Sequence, residues 1–378
     1  MISTTPRKKN VALFPLEILN NHYCGPLVGT IHEHSGVVNV FSSSMINSQI
    51  PSIQICELTP IEKQDDESKT TAFWKEGKIY FRYNGVDFDV QYYDLTQNVF
   101  SRNTGILESD VMSEKRAVIL GCGSVGSLIA LELARSGVGH FLLIDNDIIE
   151  YHNLCRHQCS ISDVGEYKVD AVKKRIQEIN PEANVKTVIS VAEYVSKEIF
   201  DSFCVENNTI IIGCADNRQA DVYGNNLAVY YKVAFISIGF WERAFAGEIF
   251  YYLPGANMPC YKCALGDGSG LSARSSANRR VYTTEENLND VRFEPGISVD
   301  INFVTAIGVK LCLDILNRNN PEFTPRLIDS LTQYTLVCNT NKTSIGGDMA
   351  ELFSYPLQVT TSLKVGFRES CPPCEFER

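Results

Sequence analysis

A chain of 378 residues with 44% hydrophobic and 21% charged positions has length for two or three ordinary domains and apolar material for a sizeable core. Its formal net charge of −11 excludes the basic field of a non-specific nucleic-acid binder, while leaving room for a local basic pocket for phosphates. No run approaches the roughly 18 consecutive apolar residues of a membrane span. The apolar stretch from Val11 is broken by Pro15 and Glu17 with no small-residue cleavage site beyond, so the chain is read as cytoplasmic.

Residues 1–95 are rich in β-branched and aromatic side chains, as in Val37–Phe41 and Lys78–Tyr83. The Asn84-Gly85 step between alternating stretches predicts a tight hairpin. The polar run Ile61–Thr71 reads as a surface loop. This portion is expected to be a small β-rich or α+β accessory domain, and its sequence does not choose between recruiting a partner and stabilising a dimer.

From about residue 96 the texture changes. Short apolar strands at Ala117–Leu120, Phe141–Ile144, Val185–Val191, Ile210–Ile212 and Val233–Ile238 alternate with helices at Ser127–Ser136 and Gly165–Asn180. The second helix carries Val169, Val172, Ile176 and Ile179 on one face and is stopped by Pro181. Such alternation predicts an α/β, Rossmann-like, doubly wound and mostly parallel sheet over residues 96–378.

Between the first strand and first helix stands Gly121-Cys122-Gly123-Ser124-Val125-Gly126, a G-x-G-x-x-G. Its first glycine permits a tight turn, its second admits backbone to phosphate, and its third lets helix and strand pack closely. The helix N-terminus then offers unpaired N–H groups and partial positive charge to an anion. Asp145, ending the second strand, is placed to accept hydrogen bonds from ribose hydroxyls. A dehydrogenase would show the same loop, so the nucleotide must be read from residues further along the chain. Asp145-Asn146-Asp147 leads to Asn153 and Arg156, then to Gly165-Glu166-Tyr167-Lys168, then to Cys214-Ala215-Asp216-Asn217. An adenylation site grips a triphosphate, polarises its α-phosphate and holds magnesium, tasks for fixed cations and a carboxylate. Arg156 and Lys168 are the cations of this set and Asp216 the carboxylate. An NAD-dependent oxidoreductase has no role for that set, and a degenerate, non-catalytic pairing module would not be expected to keep it.

These residues resemble the superfamily of ThiF, MoeB and the ubiquitin-activating enzymes. The likeness rests on GCGSVGS, LIDNDIIEYHNLCR, the G-x-x-K ending in Lys168, the helix closing on INP, and CADN. It covers about residues 97–378 and is also close to the microcin-modifying adenylating enzymes, which act on a short peptide. The resemblance implies ATP and Mg2+ as ligands. It further implies attack of a C-terminal glycine carboxylate on the α-phosphate, giving an acyl-adenylate and pyrophosphate. By that likeness Asp145 holds the ribose, Asn153, Arg156 and Lys168 surround the phosphates, and Asp216 holds magnesium. Gly121, Gly123, Ser124, Gly126, Asp147 and Asn217 complete the nucleotide-binding run. Family dimers also lend an arginine from an aromatic-Ser-Arg stretch before the glycine loop. Phe100-Ser101-Arg102 matches it, making Arg102 the candidate finger of a homodimer. His157, following Arg156 where many relatives place glutamine, is read as structural.

Thirteen cysteines are present, most standing singly in apolar patterns as small hydrophobes would. Cys260-Tyr261-Lys262-Cys263 and Cys371-Pro372-Pro373-Cys374 instead form two C-x-x-C half-sites, which together fit one tetrahedral Zn2+ with no open position and hence a structural role. The family places zinc at these two positions. Some relatives pass the activated carboxylate to their own cysteine and then to a conjugating enzyme, but the expected crossover loop, about residues 264–299, contains no cysteine. Cys122 and Cys155 are read as packed thiols. The expected partner is a ubiquitin-like protein, or a peptide, with a C-terminal glycine tail; neither nucleic acid nor membrane is expected.

Overall fold

The computed structural model describes residues 8–45, 52–62, 69–215, 218–266, 295–340, 342–346, 360–367 and 371. Two compact units divide the chain, the first running to Thr104 together with Asn180–Glu182, and the second comprising the rest from Gly105.

The first unit is built on strands β1 (Val11–Pro15), β2 (Gly25–His32), β3 (Val37–Ser42), β4 (Ile53–Thr59), β5 (Thr71–Lys75), β6 (Lys78–Tyr83) and β7 (Val86–Tyr93), with helix α1 (Leu16–Asn20) after β1. They close into a barrel in the order β1-β3-β2-β4-β5-β6-β7, and β7 returns to pair in parallel with β1. Closure leaves no unpaired sheet edge. The β-rich expectation for this segment therefore resolves into a closed barrel. Alternate residues of β3 and β6 point inward, so Val38, Val40, Ile79 and Phe81 join Phe14, Leu27 and Leu58 in its core. Two-residue turns join β5 to β6 and β6 to β7. Glu76 and Gly77 (φ 52° and 74°) and Asn84 and Gly85 (φ 48° and 73°) all take the left-handed conformation. That pairing of φ values matches the twist of the flanking strands. After the barrel come α2 (Leu95–Phe100), a run of turns in which Arg102 is exposed, and α3 (Ser109–Ser113).

The second unit holds an eight-stranded sheet. In chain order its elements are β8 (Arg116–Leu120), α4 (Ser124–Arg135), β9 (His140–Ile144), α5 (Lys168–Ile179), β10 (Asn184–Val188), α6 (Lys197–Phe203), β11 (Thr209–Gly213), α7 (Arg218–Tyr231), β12 (Ala234–Phe240), β13 (Ala246–Tyr252), α8 (Tyr261–Leu265), α9 (Ser298–Asn317), β14 (Tyr334–Cys338) and β15 (Thr360–Leu363). Spatially the strands run β10-β9-β8-β11-β12-β13-β14-β15. The first five are parallel and the last three are added antiparallel. Each strand of the parallel part alternates between two cores. Ala117, Ile119, Ile210 and Ile212 face the layer of α4, α5 and α9, while Val118, Leu120 and Ile211 face that of α6 and α7. A sheet covered on both sides explains why these strands read as unbroken apolar runs. Chain order reverses between β8 and β11, so the carboxyl ends of β8, β9 and β11 border a crevice of the kind in which such sheets bind ligands.

Two helix starts differ from the sequence expectation. Helix α4 begins at Ser124 rather than Ser127, because Gly123 is extended and already serves as the N-cap. Helix α5 begins at Lys168 rather than Gly165, whose φ of 95° is incompatible with a right-handed helix. Among the described residues no helix is long and apolar enough to cross a membrane.

The barrel core is most exacting at Phe14, which is fully buried with its ring against the edge of Phe81 at 5.9 Å between centroids. Truncation to alanine removes that packing and leaves a cavity, so Phe14→Ala is expected to destabilise the barrel by about 3–5 kcal/mol, measured by chemical denaturation.

Candidate nucleotide site and cysteine cluster

The glycine loop leaves β8 through Gly121, whose φ of 95° turns the chain sharply. A side chain at Gly121 would press within 3.1 Å of the Cys214–Ala215 backbone, which continues from the end of β11. A methyl at Gly126 would overlap the carbonyl oxygen of Gly121, so that residue lets α4 fold back onto its own loop. At Gly123 a side chain would meet nothing within 4 Å among the described residues, which leave open space before the first turn of α4. The three glycines thus differ in their surroundings: Gly121 turns against the chain leaving β11, Gly126 lies against the Gly121 carbonyl, and Gly123 faces open space among the described residues.

Asp145, half-buried at the end of β9, accepts hydrogen bonds from the Cys122 amide (2.6 Å) and from the Asp147 amide (2.8 Å). It therefore ties the glycine loop to the following turn. Asp147 in turn accepts from Lys168 Nζ at 2.7 Å, and the Lys168 amide donates to the Asp147 carbonyl at 2.9 Å. Lys168 is 12% exposed in its side chain and Asp147 62%, so the cation sits recessed while its partner carboxylate remains wet. The loop, Asp145, Asp147 and Lys168 form one bonded chain.

His157 closes the loop from beneath. It is buried, its Nε2 lies 2.7 Å from the Cys122 carbonyl, and its Nδ1 accepts from the Cys159 amide at 3.2 Å. Those partners require the neutral tautomer protonated on Nε2. Burial pushes its pKa below the ordinary histidine value, with the Cys122 carbonyl opposing. The structural reading of His157 holds. Burial likewise pushes the Cys122 thiol well up, with the Asp145 charge adding to it, so Cys122 is a packed thiol. Cys155 differs from its sequence expectation: it is exposed, donating to the His152 carbonyl at 3.3 Å, because it falls on the outer side of the irregular turn after Asn153.

Asn153 Oδ1 accepts from the Glu150 amide at 2.9 Å, a reciprocal cap that fixes the short helical turn at Tyr151–Asn153. Arg156 is half-buried, and a side chain at Gly296, just before α9, would come within 3.8 Å of its guanidinium. Asp216 and Asn217 lie outside the described residues, as do residues 267–294 of the crossover segment.

The four-cysteine expectation is met here by three. Cys260, Cys263 and Cys371 are buried, with sulfur atoms all within 4.8 Å of one another and Cys260 Sγ 3.2 Å from Cys371 Sγ. Cys374 lies outside the described residues. Three converging buried thiols form a donor set that suits a soft tetrahedral cation such as Zn2+.

Sequence reasoning missed a buried polar network beside this cluster. Arg218, the first residue of α7, pairs with Glu248 at 2.8 Å and donates to the Tyr261 hydroxyl at 2.9 Å. Glu248, 2% exposed, also accepts from Trp241 Nε1 (3.1 Å) and the Tyr334 hydroxyl (2.8 Å). Buried charge of this kind is tolerated only where its hydrogen bonds are made. The available signal was Glu248 itself, a lone acid in the otherwise uncharged strand AGEIFYY.

The depressed pKa of His157 carries a sign. The folded state resists protonation more than the unfolded chain, so its contribution is complete above the ordinary value of 6.5 and is lost as pH falls below it. Thermal unfolding followed from pH 8 to 5 is expected to show a stability loss below about 6.5 that is reduced in His157→Gln. Parallel curves for the two proteins would refute this assignment.

Ubiquitin-like modifier-activating enzyme 5 of Arabidopsis thaliana is 30% identical over 186 residues, 45% of this chain and 43% of that protein. The adenylyltransferase and sulfurtransferase UBA4 of Meyerozyma guilliermondii is 24% identical over 228 residues, 59% of this chain and 52% of that protein. The chain thus matches about half the length of these relatives. A crystal structure of E. coli MccB with ATP shares the fold at a TM-score of 0.52 and 22% identity, covering 73% of this chain and 74% of that one. The model of the ThiF family matches residues 96–342, and the chain belongs to that family.

Proposed function

We propose that this chain is an ATP- and Mg2+-dependent adenylating enzyme, acting on the C-terminal carboxylate of a ubiquitin-like protein or of a peptide with a glycine tail. One observation carries the reading. In a ThiF-family chain, the open approach before Gly123 stands at the switch point of a parallel sheet, with the recessed cation Lys168 bonded through Asp147 and Asp145 to the same loop. Relatives and fold neighbours named as activating enzymes and adenylyltransferases, and the E. coli MccB structure with ATP, support the same chemistry.

In this reading the triphosphate enters against the N-terminal turn of α4, where backbone N–H groups and the helix dipole favour an anion. Asp145 takes the ribose hydroxyls with the lone pairs that the loop leaves it. Lys168 exchanges Asp147 for phosphate oxygens at small cost, because the solvent around Asp147 screens their pairing. Arg156 and Asn153 approach the phosphates from the segment after β9; Asp216, following β11 in the chain, would hold Mg2+, and Asn217 would complete the nucleotide-binding run. An oxygen of the substrate carboxylate, already ionised at neutral pH, attacks the α-phosphorus. The bond from that phosphorus to the oxygen bridging to the β-phosphate breaks, and pyrophosphate leaves with the electron pair. Charge growing on the equatorial oxygens is met by Lys168 and Arg156, and Mg2+ when bound would supply further positive charge there. Arg102 is supplied by the second subunit of a homodimer.

Zinc held by Cys260, Cys263 and Cys371, with Cys374 as the expected fourth thiolate, would supply bracing rather than chemistry. Residues 264–299 contain no cysteine, so the acyl group passes from the adenylate either to an outside nucleophile or to a cysteine elsewhere in the chain. The proposed setting is cytoplasmic.

The test is ATP–pyrophosphate exchange. Exchange is expected to depend on a glycine-tailed partner and to fall about 10²–10³-fold or more in Lys168→Ala and in Asp216→Ala. Unchanged exchange in both variants, or thermal stabilisation by NAD but not by ATP with Mg2+, would overturn the assignment.

A further inference from the structure

The turn that carries two of the cysteine ligands is bonded directly to the helix leading out of the nucleotide crevice. Cys260 is the N-cap of α8 and Cys263 lies in its first turn. Between them Tyr261 is 1% exposed, its ring packed edge-on against Phe235 and Phe250 at 6.1 and 5.2 Å. The amide and the hydroxyl of Tyr261 both bond to one face of α7. Its amide donates to Asn225 Oδ1 (3.1 Å), its hydroxyl accepts from Arg218 Nη1 (2.9 Å), and the same hydroxyl donates to Asp221 Oδ2 (3.1 Å). Positions 218, 221 and 225 are spaced to fall on a single helical stripe.

The path continues to the glycine loop. Asp221 is fully buried, and any side chain at Gly213 would overlap its carboxylate, so the carboxylate rests against the last residue of β11. The next two residues, Cys214 and Ala215, are those against which Gly121 turns, and the Cys214 amide donates to the Leu120 carbonyl at 2.9 Å. Every step is a contact between buried or backbone atoms. Gly224 removes further play, because a methyl there would press within 2.8 Å of Leu120 and 2.9 Å of Phe235, fixing α7 on the sheet. A shift of the cysteine turn therefore cannot be absorbed before it reaches the loop, since packed interiors deform discretely rather than smoothly.

We propose that Tyr261 and Asp221 are positioning residues that couple the metal-holding cysteine turn to the nucleotide loop, so that metal in the one and ATP with Mg2+ in the other each raise affinity at the partner site. This rests on the adenylating reading for the identity of the nucleotide, while the contact path stands on its own geometry. Linkage makes the effect reciprocal: both affinities must change by the same factor.

The experiment uses the full chain loaded with Zn2+. Zinc is titrated away with a chromophoric chelator in the absence and presence of saturating ATP and Mg2+, and ATP affinity is measured by calorimetry on the zinc-loaded and zinc-stripped protein. Both measurements are expected to give the same factor, about fivefold or more. In Tyr261→Phe, and separately in the isosteric Asp221→Asn, the factor is expected to fall towards one while zinc content and melting temperature report that the variant is folded. Trp241 fluorescence in a Trp74→Phe background gives a second readout, since the Trp241 indole bonds to Glu248 within the same network. Its response to ATP is expected in the zinc-loaded protein and not in Tyr261→Phe. If ATP binds but zinc affinity is unchanged by it, or if the variants keep the full factor, the coupling is wrong and the adenylating reading survives. If pyrophosphate exchange and ATP binding are both absent from the wild type, the adenylating reading and the coupling built on it fall together.

Discussion

The architecture of the second unit depends on one close approach of backbones, where the turn leaving β8 passes against the end of β11 while α4 folds back over it. Gly126 makes that approach possible because a side chain there would overlap the Gly121 carbonyl, and Gly121 because its left-handed turn and 3.1 Å clearance from the Cys214–Ala215 backbone disfavour any side chain. With it in place, the N-terminus of α4, the acid ending β9 and the chain leaving β11 come to one edge of the sheet. Without it, the same strands could still pair, but the glycine loop, Asp145 and Lys168 would not be joined at one edge.

Around that approach, electrostatics is arranged in two regimes. At the crevice the charges are half-exposed and exchangeable, as with Lys168 held by a wet Asp147, which suits groups that must release one another to take a ligand. Behind α7 the charges are sealed. Glu248 and Asp221 are almost wholly buried, and their hydrogen bonds come from Arg218, Trp241, Tyr261 and Tyr334. Burial pushes the Tyr334 phenol strongly upward, and the adjacent Glu248 charge adds to the effect, so it stays a donor across any physiological pH. A network of that sort gives specificity of position more than net stability, because each member is costly only when another is missing.

The cysteine cluster joins these regimes. Small thiols buried together contribute modest packing, but a bound cation would fix Cys260, Cys263 and Cys371 to one point, and Tyr261 stands between two of them. The barrel solves a different problem. It closes its sheet through a parallel β1–β7 pairing, so that no strand edge is left to cover.

Local chemistry made much of this legible from the chain alone. The Asn84-Gly85 hairpin, the glycine loop between strand and helix, the parallel strands as short apolar runs and the C-x-x-C half-sites are all decided by interactions among near neighbours, and near neighbours are what a sequence displays. The helix starts at Ser124 and Lys168 depended on the backbone conformation of one glycine each, extended at Gly123 (ψ −153°) and left-handed at Gly165 (φ 95°), and a run of letters does not give those angles. Closure of the first strands into a barrel was not legible either, because it needs β1 to meet β7 across the whole segment. Nor was the network of Arg218, Glu248, Tyr261 and Asp221, whose members come from three separate stretches of chain. The sequence by itself determined which residues carry charge, thiol or conformational freedom. Only the tertiary structure decided which of them share a site, because burial and pairing depend on long-range packing that no local pattern encodes.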